Sequence, residues 1–110
     1  MGFTAVLPLE KLWRDEITSV QAGTRGVLLM RFEDQIAAYV DECPHQRVPL
    51  SAGCLSGGVL VCSAHGWEFD ARSGRGLNPR DARLEPVRVK VENGWIWVDD
   101  GFADEEPAHA

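Results

Sequence analysis

Val87-Arg88-Val89-Lys90-Val91-Glu92-Asn93-Gly94-Trp95-Ile96-Trp97-Val98 is the stretch that decides the fold class. Valines at 87, 89 and 91 alternate with charged residues, and apolar residues resume directly after Asn93-Gly94. Successive side chains of a strand point to opposite faces, so this alternation predicts half-buried strands. Asn-Gly accepts the positive φ angles of a type I′ turn, and the whole stretch therefore predicts a β-hairpin. Upstream, further strands are expected over residues 17–22, 26–32, 36–41, 59–62 and 67–69, with Glu33-Asp34-Gln35 turning the chain between the second and third. Only 9–13 suggests helix, a short one whose first turn suits Pro8. From about residue 42 to 80 the strand pattern is interrupted by Pro44, Pro49, Gly53, Gly57, Gly58, Gly66, Gly74, Gly76 and Pro79. The expectation is an all-β, antiparallel domain with a loop subdomain inserted there, and loops held by a rigid sheet are where function tends to lie.

The chain has 110 residues, enough for one compact domain, and a net charge of −6. That balance disfavours nucleic acid and acidic membrane surfaces as partners, and steers the chain toward basic patches on other proteins. Asp99, Asp100, Asp104, Glu105 and Glu106 crowd into the end, so the domain is expected over 1–101 and a solvated acidic tail over 102–110. The apolar run Val27-Leu28-Leu29-Met30 lies between Arg25 and Arg31 and is too short to span a bilayer. The first residues show neither the layout of a signal peptide nor, with Val6 where Ser or Thr is needed, that of myristoylation. A cytoplasmic location is expected, and there Cys43, Cys54 and Cys62 point to metal or free thiol rather than a disulfide frame.

Two short pairs carry the chemistry: Cys43-Pro44-His45 and Cys62-Ser63-Ala64-His65. Each brings one thiolate and one imidazole to a loop tip, and the residues between allow a loop and a returning strand to set the pairs side by side. A structural zinc site is the rival reading. Zinc spacing pairs like with like, as C-x₂₋₄-C and H-x₃₋₅-H, whereas each pair here mixes Cys with His. No serine–histidine–acid or paired-carboxylate set is present to act on a substrate.

C-x-H followed by C-x-x-H at this separation resembles the signature of Rieske 2Fe–2S proteins, and the likeness runs over nearly the whole chain. It is nearest the ferredoxin components of bacterial toluene monooxygenases, on Cys43-Pro44-His45-Gln46, Leu50-Ser51 with Gly53, Gly57-Gly58-Val59, Ala64-His65 with Trp67, and Gly74 with Gly76, Asn78 and Pro79. The resemblance implies a three-sheet β fold and one 2Fe–2S cluster. Cys43 and Cys62 would bind the buried iron, and His45 and His65 the outer one, near the surface. Gln46, Ala64, Trp67 and Pro79 would surround it, Pro79 from a third covering loop. The implied role is a soluble, monomeric electron carrier between a flavin- and iron–sulfur-containing, NAD(P)H-dependent reductase and the hydroxylase of a multicomponent monooxygenase. His65-Gly66-Trp67 is also common in ring-hydroxylating dioxygenase systems, whose ferredoxins are one alternative; the small subunit of nitrite reductases is another.

Two ferric ions, two sulfides and two thiolates balance to zero charge, so reduction is easier than with four thiolates; such centres span about −150 to +300 mV. High-potential members of the family carry a disulfide beside the ligands and a hydroxyl two residues after the second histidine. This chain has Val48, Ala64 and Trp67 at those positions, which implies a potential toward the low end. Outside the motif, Cys54 is expected as a partly buried thiol, Trp67 as core packing, and Trp95 and Trp97 as plain strand residues.

Overall fold

Val27-Leu28-Leu29-Met30 shows no alternation because both of its faces are covered. The computed structural model, which describes residues 2–23, 25–33, 35–44, 48–63 and 66–99, stacks three antiparallel sheets. In chain order the strands are β1 (Phe3–Pro8), β2 (Ile17–Ala22), β3 (Arg25–Arg31), β4 (Ile36–Val40), β5 (Cys54–Ser56), β6 (Val59–Val61), β7 (Glu68–Asp70), β8 (Gly76–Asn78), β9 (Val89–Glu92) and β10 (Trp95–Asp99). They pair as β1-β10-β9, β2-β3-β4 and β5-β6-β7-β8.

The β2-β3-β4 sheet is the middle layer. Val27 and Leu29 of β3, with Ala38 and Val40 of β4, pack with Ile96 and Val98 of β10. Leu28 and Met30, with Ala37 and Tyr39, face Leu60 of β6, Phe69 of β7 and the two cysteines Cys43 and Cys62. A strand buried on both faces reads as a continuous apolar run, and period two is then recovered as an alternation between two cores.

The decisive hairpin forms as expected: Trp95 faces Glu92, Ile96 faces Val91, Trp97 faces Lys90 and Val98 faces Val89. Asn93 and Gly94 both take positive φ, 55° and 79°, as a type I′ turn requires. The aliphatic residues Ile96 and Val98 turn inward, and Trp95 stays 42% exposed. The expected strand at 17–22 has the bounds found, and the others shift by a residue at one or both ends.

β1, β5 and β8 were not foreseen. β1, Phe3-Thr4-Ala5-Val6-Leu7-Pro8, shows no period-two alternation, and pairs with β10 from the far end of the chain, Phe3 opposite Asp99. β5 and β8 have three residues each and lack the β-branched or aromatic residues that mark the equally short β6 and β7. The helix expected over 9–13 is a 3-10 turn, Leu9–Lys11, with Pro8 as the residue before it. Cys54 is exposed on the edge strand β5 rather than partly buried, because it precedes the turn and faces away from the core. Among the described residues no helix is long and apolar enough to cross a membrane.

Candidate metal centre

Cys43 follows the end of β4 and Cys62 follows the end of β6, so each begins a loop as its strand stops. The two loops are closed by the same device. The Cys43 N–H donates to the Val48 carbonyl and the Cys62 N–H to the Trp67 carbonyl, both at 2.8 Å. In each case the acceptor lies five residues on, and its side chain is half-buried against the core that contains both cysteines. In sequence, positions 45 and 65 fall inside these two closures.

Both cysteines are buried, 0% and 1% exposed, and none of the three cysteines forms a disulfide. Their neighbours in that core are aliphatic and aromatic side chains such as Leu28, Leu50, Leu60 and Phe69. Isolated thiolates would be costly in so dry a place, whereas a bound iron both neutralises and shields them. The cysteine half of the expected donor set therefore fits a 2Fe–2S cluster, which in this class takes two Cys and two His. His45, His65, Gln46 and Ala64 lie outside the described residues. Trp67 packs on the core as expected. Pro79 makes a turn, its carbonyl accepting the Ala82 N–H at 3.4 Å.

Two supports of the loops escaped the sequence reading. Asp41, between β4 and Cys43, accepts the Ser51 N–H and the Ser51 hydroxyl, both at 2.8 Å, and the Ser19 hydroxyl at 3.0 Å. It fastens the exit of the first loop to its entry and both to β2. An aspartate after a strand is so common that only its three donors identify it. The second support is Gly53, which follows the 3-10 turn Leu50–Ala52 and lies flat on the backbone of Val61. A Cβ there would overlap the Val61 carbonyl oxygen, one residue before Cys62. The chain leaving the first loop thus rests on the strand that delivers the second. Behind them, the Tyr39 hydroxyl donates to the Ala71 carbonyl at 2.9 Å. Burial, and after it the negative charge of Asp70, pushes the Tyr39 pKa up to about 12.

Residues 2–89 match the family model of the Rieske [2Fe-2S] domain. The chain is 37% identical over 97 residues to the ferredoxin component of the alkene monooxygenase system of Xanthobacter autotrophicus, covering 87% of this chain and 80% of that one. Among solved structures it resembles a chain of the complex of reduced oxygenase and oxidized ferredoxin in carbazole 1,9a-dioxygenase, with TM-score 0.79 and 28% identity over 89% of this chain and 93% of that one. The ferredoxin of carbazole 1,9a-dioxygenase from Nocardioides aromaticivorans shares the fold with the same TM-score of 0.79, at 23% identity and with 89% and 97% of the two chains covered. Paired buried cysteines at the mouths of two matching loops, on a fold shared along its length with these proteins, place the chain in the family of Rieske [2Fe-2S] domains, which hold a single 2Fe–2S cluster.

Proposed function

We propose that this chain is the one-electron carrier of a multicomponent oxygenase, its cluster bound by Cys43, His45, Cys62 and His65. The observation that carries the reading is the likeness to the alkene monooxygenase ferredoxin component, which extends over 80% of that protein. Bound at the two loops, the cluster would take up and release one electron at a time. The residues around it do the rest. Leu28, Leu50, Leu60 and Phe69 keep water from the cysteine side, and Asp41, Ser51 and Gly53 hold the loop bases so that little has to reorganise.

In this reading the donor is an NAD(P)H-dependent reductase with flavin and iron–sulfur groups, and the acceptor is the hydroxylase of a monooxygenase. The carrier works as a cytoplasmic monomer, with one domain over 1–101 and an acidic tail after it. Service to a dioxygenase is the second reading, favoured by the carbazole dioxygenase structures at lower identity than the monooxygenase relative.

Purified protein should contain iron and acid-labile sulfide in equal amounts, and its reduced form should give the rhombic electron paramagnetic resonance signal of a mixed-ligand cluster. A colourless, zinc-loaded protein would end the proposal. Reconstitution with reductase and either a monooxygenase hydroxylase or a dioxygenase separates the two readings. His65→Cys adds a negative thiolate and should lower the potential wherever the cluster survives; an unchanged potential would remove His65 from the ligand set.

A further inference from the structure

The net charge of −6 conceals a segregation of charge. Between Ala71 and Leu84 stand Arg72, Arg75, Arg80 and Arg83 against a single acid, Asp81. Arg75, Arg80 and Arg83 are exposed, and none has a side-chain partner among the described residues. Arg75 and Arg83 are joined by an antiparallel bridge, which sets two like charges directly across from each other. Such a pair is unfavourable, and among the described residues no carboxylate is paired with either arginine.

Two clefts give this basic face its shape. One, of about 410 Å³, is lined by Arg75, Leu77 and Arg80, with Leu77 41% exposed. The other is lined by Arg83 together with Cys43 and Pro44, the start of the first cluster loop, with Glu42 and Glu85 tempering its charge. The face therefore runs from a basic, partly apolar outer end to the edge of the metal centre.

We propose that this face, built from Arg75, Leu77, Arg80 and Arg83 beside Pro44, docks a redox partner protein through carboxylates around the partner's own electron port. The inference rests on the electron-carrier reading above. At about 0.1 M salt charges act over only about 10 Å, so a partner at this face meets the arginines and is screened from most of the remaining acids. Carboxylates there relieve the Arg75–Arg83 repulsion and form bidentate hydrogen bonds with the guanidinium groups. A second copy of this chain is disfavoured as occupant, because it would oppose arginines with arginines.

The test uses the full-length, cluster-loaded protein and two negatively charged probes. Oxidation of the reduced protein by ferricyanide, an anion, is followed by stopped flow as salt increases. The rate should fall at least about threefold between low and physiological salt, against the sense expected from net charge alone. Arg75→Glu with Arg80→Glu should reverse that slope while the visible spectrum stays the same and the denaturation midpoint does not fall, since the glutamate introduced at position 75 would then face Arg83. In calorimetry, a hexaglutamate peptide should bind the parent protein and not this variant. A rate that rises with salt in the parent protein, or peptide binding indifferent to the two substitutions, overturns the proposal. Binding seen only after Asp104→Asn, Glu105→Gln and Glu106→Gln also overturns it, since the occupant is then the chain's own acidic end. Failure of the electron-carrier reading is distinct: the purified protein would show no cluster absorbance to follow.

Discussion

Asp41 and Tyr39 are not among the expected ligands, yet each holds a part of the fold that the ligands depend on. Asp41→Ala removes the acceptor of three hydrogen bonds and leaves the Ser51 N–H without its partner. It should cost about 1–3 kcal/mol in urea unfolding and speed cluster loss to a chelator, whereas Ser19→Ala, which removes one bond, should cost less. Tyr39 is the only tyrosine, so its titration can be read directly in the ultraviolet. Its folded pKa of about 12 lies above its ordinary value of 10.0. The stability gained from the protonated hydroxyl is then complete below pH 10 and lost as pH rises through about 12. Tyr39→Phe should abolish that alkaline limb relative to the parent protein, and lower stability near neutral pH by about 1 kcal/mol through the unpaired Ala71 carbonyl. Neither role is legible in sequence, because each depends on which groups from distant segments arrive beside the side chain.

Among the elements, β3 best separates the two cores. Leu28 belongs to the core of the cysteines and Leu29, the next residue, to the core under β10. Leu28→Ala and Leu29→Ala should each destabilise by about 2–5 kcal/mol in denaturant unfolding. Only Leu28→Ala should also hasten cluster release, measured as bleaching of visible absorbance in a chelator; equal bleaching in both would mean the cores are not separable. The terminal hairpin was legible because Asn93-Gly94 and the alternation around it are local signals. β5 was not, although Gly57-Gly58 stands where a two-residue turn joins it to β6. Cys54-Leu55-Ser56 has neither the valines of β6 nor the phenylalanine of β7, so its definition comes from its partner.

At the scale of the whole molecule, the environment of the centre sets the potential and the surface charge sets access to it. The Cys43 and Cys62 amides are committed to the Val48 and Trp67 carbonyls, and Trp67 stands where a hydroxyl would favour reduction. Fewer hydrogen bonds to cluster sulfur predict a midpoint potential in the lower third of the roughly −150 to +300 mV range, below about 0 mV by voltammetry. A value well above that would refute the prediction. By itself the sequence determined the all-β class, the placing of the loops and the Cys–His pairs, because each is written in neighbouring residues: a period of two, a turn dipeptide, a fixed ligand spacing. Only the tertiary structure decided that β1 closes on β10, that β3 is covered on both faces, that Asp41 and Gly53 brace the loops, and that Arg83 comes to lie beside Cys43 and Pro44. These depend on contacts between segments far apart along the chain, where packing and backbone pairing choose among partners that local patterns leave equivalent.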